Sequence, residues 1–415
     1  MVTSKEIDVL VKQMVFGPNR FDVQQKVRKL ALDNGIFPAS INGLYEAIGK
    51  NVFSGFTVPA MNIRGITYDV ARAAFRAALK NKVGPFIFEI ARSEIEYTLQ
   101  DPDEYACCIL AAALAESYRG PVFLQGDHIQ LRRKSYLKDP QKELDDIRSL
   151  VKSAVEAGFY NIDIDASTLV NIDEPDMMEQ QETNGLVTAE MTRFIRSIQP
   201  PDVVISIGGE IGEIGRGNST TGDLRAFMKQ YQNHLKPGFA GISKISVQTG
   251  TTHGGVVLPD GTTARVEVDF KTLKEMSAAA RAEYGMGGAV QHGASTLPDE
   301  MFHLFPEINT LEIHLATGFQ NIIFDNPYFP RDLTQKIHDG LSTKYAADRK
   351  SDDTDAQFYY RNRKRAFGDF KQELWNLPPE NLQKIMSTLE DRFSLLYQKL
   401  NVVNTRDIVE KEIKG

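Results

Sequence analysis

Hydrophobic and polar positions along this chain fall into two textures. Up to about residue 50, apolar positions recur at helical spacing in "SKEIDVLVKQMVF", "NRFDVQQKVRKLALDNG" and "SINGLYEAIGKN". That period gives a helix one buried face. Ser4 and Asn19 stand where N-caps are expected, and Gly35 where a helix stops. After Gly55 the texture changes. Short β-rich runs appear: "FTVPAMNI" (56–63), "PFIFEI" (85–90), "PVFLQGDH" (121–128), "YNIDID" (160–165), "DVVISIGGE" (202–210), "GISKISVQ" (241–248), "GAVQHG" (288–293) and "TLEIHLA" (310–316). Amphipathic stretches such as "YDVARAAFRAALKNK" and "PQKELDDIRSLVKSAVEAG" separate them.

Strands separated by helices imply a parallel sheet with right-handed crossovers. Eight such units predict an α/β fold of the closed (β/α)8 kind, the TIM barrel. The competing doubly wound sheet is disfavoured, because no glycine-rich phosphate fingerprint opens the first unit. The expected organisation is an N-terminal helical extension over 1–50, a barrel over 51–330 and a C-terminal helical extension over 331–415. The tail stretch "LQKIMSTLEDRFSLLYQKL" has one apolar helix face, which suits either an oligomer contact or a cap on the barrel.

Composition narrows the classes. The 415 residues are 42% hydrophobic and 25% charged, with net charge −7, so a large core is available and nothing favours nucleic acid or an acidic membrane surface. The adjacent Cys107 and Cys108 lie in the apolar stretch "ACCILAAALAE" and read as buried helix residues. "MVTSKEIDVLVKQ" lacks the apolar core of a secretory signal, and no run is long enough to span a bilayer. A cytoplasmic protein, working as a homo-oligomer on a small molecule, is the expectation.

Candidate chemistry gathers at strand ends, which form the active rim of a barrel. His128 ends the third strand, His253 follows the sixth and His292 ends the seventh. Three imidazoles from three strand ends can converge on one metal, and neutral imidazoles suit Zn2+. Asp127, Asp165 and Glu210 stand on the same rim and suit acid/base work or support of the metal ligands. His314, on the last strand, is a candidate substrate contact. His234, His303 and His338 lie in helical stretches and read as surface or packing residues.

These motifs together resemble the class II, metal-dependent ketose-bisphosphate aldolases. "FTVPAMNI" is similar to that family's opening strand, "FLQGDHIQ" to its His-x-Asp-His motif, "AGFYNIDIDAST" to its Gly-Phe…Asp-Gly-Ser strand and "GGEIGEIG" to Glu-x-Glu-x-Gly. "TGTTHGG" and "VQHGAS" resemble its two later metal-histidine motifs. The resemblance implies zinc held by His128, His253 and His292. It implies Asp127 as the general acid/base and Glu210 as an acidic residue beside the metal. It implies phosphate contacts from Gly254, Gly293 and Ser295, and Asn62, Asp165 and His314 join them as candidate substrate contacts. The reaction implied is cleavage or formation of a C–C bond in a phosphorylated ketose through a metal-stabilised enediolate.

The departures from the family pattern fall at three places. Gln125 replaces the first histidine of His-x-Asp-His, Gly208 replaces the first glutamate of Glu-x-Glu, and "LEIHLATG" replaces an Asn-x-Asp-Thr strand end. The last change bears on the sugar, so a 4-epimerase working by the same retro-aldol step is the alternative. A non-catalytic companion subunit is the third reading, and the retained Asp127 and three histidines argue against it.

Overall fold

The computed structural model describes residues 3–212, 217–250, 257–259 and 267–413. Among them lie nine strands: β1 (Ile36–Ala39), β2 (Val58–Asn62), β3 (Ile87–Ala91), β4 (Gly120–Gln130), β5 (Asn161–Asp165), β6 (Ser206–Glu210), β7 (Lys244–Val247), β8 (Ala289–Gln291) and β9 (Glu312–Leu315). Strands β2 to β9 pair in parallel with their neighbours in chain order, and β9 pairs back onto β2, so the sheet closes. The fold is a (β/α)8 TIM barrel with helical segments at both ends, and each expected strand is present. No helix among the described residues is long and apolar enough to cross a membrane.

The N-terminal extension is not purely helical. β1 pairs in parallel with the start of β4, Ile36 opposite Gly120 and Ala39 opposite Phe123. Its sequence, Ile-Phe-Pro-Ala, is four residues long with a proline inside, which weakens any strand signal. The first helix is capped by Thr3 rather than Ser4: the Thr3 hydroxyl accepts from the Glu6 N–H, and the Glu6 carboxylate accepts from the Thr3 N–H at 2.7 Å. Asn19 stands at the next cap position without a side-chain bond, and Gly35 takes the left-handed conformation, φ +71°.

After β1 the chain turns across the floor of the barrel. The Asn161 side chain accepts from the Ile41 N–H at 2.9 Å and donates to the Ala39 carbonyl at 3.3 Å, fixing the turn to β5. The helix Asn42–Gly49 follows, with Leu44, Tyr45 and Ile48 buried. Its Tyr45 hydroxyl donates to Glu312 inside the barrel. At the other end, the tail folds back onto the barrel. Phe393 on the helix Pro379–Lys399 meets Phe319 at 4.8 Å between ring centres. Residues 363–370 reach the rim. A Cβ at Gly65 would overlap the Phe367 ring, and one at Gly368 would overlap the Tyr97 carbonyl. The tail is therefore in direct contact with the loops after β2 and β3.

Barrel interiors are ordinarily filled by branched apolar side chains. Here the interior carries a charged network. The Lys244 ammonium, fully buried, donates to Gln125 Oε1 at 2.7 Å, Asp163 Oδ2 at 2.9 Å and Glu312 Oε1 at 2.6 Å. Gln125 donates in turn to Glu89 and Glu312, each at 2.9 Å. Burial alone would lower the Lys244 pKa, but Asp163 and Glu312 outweigh it and hold the ammonium charged.

Two of the sequence departures follow from this network. Gln125 accepts from an ammonium while donating to two carboxylates. A neutral imidazole, with one donor and one acceptor, cannot serve all three. At position 208 a Cβ would overlap the Asp163 carboxylate and come within 3.0 Å of Lys244 Cε, so the Asp163–Lys244 pair leaves space only for glycine.

Removing one partner of a buried ion pair leaves the others uncompensated and costs about 3–5 kcal/mol. Lys244→Met is therefore expected to lower the denaturation midpoint sharply. Neutralising the partners in the same chain, with Asp163→Asn and Glu312→Gln, is expected to recover part of that loss in the same unfolding measurement.

Candidate active site

The site begins at an irregularity in β4. Successive residues on a strand point to opposite faces, so Asp127 and His128 would ordinarily diverge. The pairing of β4 with β5 shifts register between Gly126 and Ile129, which is a bulge. His128 sits there in the left-handed region, φ +40°, uncommon for a residue with a Cβ. The bulge re-aims one side chain, and both residues line a single pocket.

Around His128 stand three carboxylates. Its Nδ1 lies 3.1 Å from Asp165 Oδ2 and 3.1 Å from Glu210 Oε2, and its Nε2 lies 3.9 Å from Asp127 Oδ1. Burial would lower the His128 pKa, but Asp127 and Glu210 outweigh it and raise it well above the usual value. Glu210 is pushed up to about 7, by burial first and then by Asp165. Its oxygens face the ring that Asp165 also bonds, so the two carboxylates compete for one cation.

His292 packs at a tilt against both neighbours, with ring centres 4.2 Å from His128 and 4.1 Å from His314. Its Nε2 lies 3.0 Å from the Ser246 hydroxyl. Ligand atoms of Asp127, His128 and His292 lie within 4.8 Å of one another, as do those of His128, Asp165 and Glu210. Imidazoles inside a ring of buried carboxylates are a donor set that fits a divalent cation.

Asp127 is held from two sides. His314 Nδ1 lies 3.1 Å from Asp127 Oδ1, and the Asn62 amide donates to Asp127 Oδ2 at 3.4 Å. Burial would raise the Asp127 pKa, but the imidazoles of His128 and His314 outweigh it and keep the carboxylate ionised. His314 is held as firmly: its Nε2 lies 2.6 Å from Glu312 Oε1 and its Nδ1 also lies 3.1 Å from Glu89 Oε2. The barrel-interior network thus ends on the carboxylate that faces the pocket.

The pocket encloses about 230 Å3, below the ~300–1,000 Å3 typical of ligand clefts, so it suits a small substrate. Asn62, Asp127, His128, His292, Gly293, Ser295 and His314 line it. Asp165 and Glu210 stand behind His128 rather than on the lining. His253 and Gly254 lie outside the described residues. The Ser295 hydroxyl accepts from the Ala316 N–H at 2.7 Å, which ties the loop after β8 to the helix Thr317–Phe324.

Sequence reasoning missed Glu89, Glu94, Arg64, Lys244, Glu312 and Lys364. The signal for three of them was present. Glu89 in "PFIFEI", Lys244 in "GISKISV" and Glu312 in "TLEIHLA" are charged residues inside otherwise apolar strands. Such residues need partners that only the barrel brings together.

A family model described as Fructose-bisphosphate aldolase class-II matches residues 44–364. No curated protein matches the chain. Among solved structures, a probable tagatose 6 phosphate kinase from Sinorhizobium meliloti 1021 is similar at TM-score 0.58 and 14% identity, over 86% of this chain and 98% of that one. A fructuronate-tagaturonate epimerase from Cohnella laeviribosi is similar at TM-score 0.55 and 11% identity, over 95% and 86%. A fructose-bisphosphate aldolase from Campylobacter jejuni is similar at TM-score 0.51 and 16% identity, over 89% and 96%. At these identities the likeness establishes the shared barrel. The family match spans the strands that carry Asn62, Asp127, His128, His292 and His314, and on it the chain belongs to the class-II fructose-bisphosphate aldolase family.

Proposed function

We propose that this chain is a metal-dependent lyase that cleaves or forms a C–C bond in a phosphorylated ketose. One observation carries the reading: the β4 bulge turns Asp127 and His128 into one pocket, with His292 beside them. His128 and His292, with His253, would hold the metal, zinc in this reading, and Asp165 and Glu210 would orient His128 from behind. A bound divalent cation supplies the Lewis acid that takes up negative charge at the ketone end of the substrate.

The chain's own residues move the proton. Asp127, ionised and fixed by His314 and Asn62, takes the proton of the hydroxyl on the far carbon of the bond that breaks. That hydroxyl carbon becomes an aldehyde, and the electron pair of the broken bond stays on the ketone fragment. In the reverse direction Asp127 returns the proton. Gly293, at φ +71°, and Ser295 offer a small-residue loop beside the start of the helix Thr317–Phe324, a setting that suits a phosphate.

A second reading is a ketose 4-epimerase, in which the aldehyde turns over and is added back. Two features favour it: the small pocket, which retains a short fragment, and His314 in contact with Asp127.

Three outcomes test these readings. His128→Ala, His253→Ala and His292→Ala are each expected to lose bound metal and turnover together, read by elemental analysis and assay. Full metal content in all three ends the metal assignment. Asp127→Ala is expected to keep its metal and lose ~10²–10⁴-fold in kcat; near-normal turnover would hand the proton to another group. Inorganic phosphate is expected to compete with substrate, and Ser295→Asp to raise KM by placing a like charge in the loop. Equal turnover of unphosphorylated ketoses, with no inhibition by phosphate, would move the free-sugar epimerase ahead.

A further inference from the structure

Beyond Asp127 the pocket wall runs outward through direct contacts. Asn62 touches Asp127 and donates to Glu94 at 2.6 Å, and the Glu94 carboxylate accepts from Arg64 Nε at 2.7 Å. Arg64 spends its Nη1 on Thr317 and Gln320, at 3.4 and 3.0 Å, while its Nη2 makes no bond among the described residues. Beside it stands Lys364, an exposed residue whose ammonium lies 5.5 Å from the centre of the Tyr97 ring. No carboxylate among the described residues pairs with Lys364. The Tyr97 hydroxyl is buried and makes no hydrogen bond of normal geometry. It interacts with Arg64 and Glu94, and the Glu94 oxygens are already engaged by Asn62 and Arg64. Arg64, Tyr97 and Lys364 all line the pocket that holds Asp127.

Charge counting identifies the missing partner. Two other cations on the lining are already neutralised: Arg92 by Glu143 at 2.5 Å and Arg132 by Glu96 at 2.5 Å. Between them, Arg64 and Lys364 have one directly bonded carboxylate among the described residues, Glu94 on Arg64, which leaves one positive charge without a contact partner. Burial of the ammonium end lowers the Lys364 pKa, and the Arg64 guanidinium lowers it further, against the opposing pull of Glu94. A singly charged carboxylate balances that charge, and a doubly charged phosphate overshoots it.

We propose that Arg64, Tyr97 and Lys364 form a carboxylate subsite at the pocket mouth, so that the substrate is a ketose bearing a carboxylate on the fragment released as aldehyde. This rests on the reading of Asp127 as the proton acceptor, because the carbons beyond its hydroxyl point along this wall. The subsite is built into the fold. Lys364 belongs to the segment whose neighbours Phe367 and Gly368 press against Gly65 and the Tyr97 carbonyl, leaving no space for a Cβ on either glycine. The C-terminal extension thereby supplies a specificity-determining cation.

NMR titration of the metal-loaded protein with glycerate and, separately, with inorganic phosphate tests the assignment. Charge-assisted hydrogen bonds to a carboxylate convert to roughly tenfold or more in affinity, so Lys364→Glu is expected to weaken glycerate at least that much and to leave phosphate within about twofold. Ser295→Asp is expected to do the reverse. Tyr97→Phe is expected to weaken glycerate with little change in the thermal midpoint, because its hydroxyl has no well-formed hydrogen bond to lose. The proposal is overturned if glycerate binds Lys364→Glu as it binds the parent protein, or if phosphate weakens in that variant as much as glycerate does. Loss of glycerate binding in a protein that turns over no ketose would remove the proposed reaction and leave the carboxylate subsite standing.

Discussion

A single ammonium at the centre of the barrel constrains this molecule more than any other group. Lys244 is shut away from water, and a buried charge is tolerated only when its partners are close and well directed. Asp163, Glu312 and Gln125 meet that demand at hydrogen-bonding distance, and each is then committed. Asp163 fills the space in front of position 208. Glu312 holds both the Tyr45 hydroxyl from the floor and the His314 ring from the rim. Floor, interior and rim are joined through one cation.

The connection matters for chemistry because it reaches Asp127. In the proposed reaction Asp127 accepts a proton, and a carboxylate with that task gains from being fixed in direction. His314 fixes Asp127 from the interior side and Asn62 from the outer side. The β4 bulge then places His128 next to it without moving either contact. Preorganisation here comes from strand backbone and buried ion pairs, both rigid, with loops left to contact the rest of the substrate.

How much of this was legible in the sequence follows from the range of the interactions involved. The eight strand–helix units were legible because alternation is written locally, and motifs such as "FLQGDHIQ" and "VQHGAS" carry strand and site residues in a few positions. β1 was not, because Ile36–Ala39 is short, contains Pro38 and is stabilised by pairing with residues more than eighty positions away. Glu89, Lys244 and Glu312 were visible as oddities in apolar strands, but their partners come from four different strands. Lys364 was the least legible of all: a lysine in "RNRKRAF" reads as a solvated face until the tail is seen against Tyr97. Gln125, Gly208 and His314 stood out as departures from a family pattern, and their cause became visible only in the folded interior.

Gly208 also bears on how such a sequence can change over evolutionary time. A glutamate cannot return to position 208 while Asp163 and Lys244 occupy the adjoining space. Lys244 cannot be lost while Asp163 and Glu312 remain charged around it. Gln125 cannot become histidine while it serves the Lys244 ammonium and the carboxyl groups of Glu89 and Glu312. Each reversal is blocked by the others, so their effects are strongly non-additive. The three positions form an epistatic lock: none can be exchanged alone, so substitutions are tolerated more readily in the exposed loops and the tail.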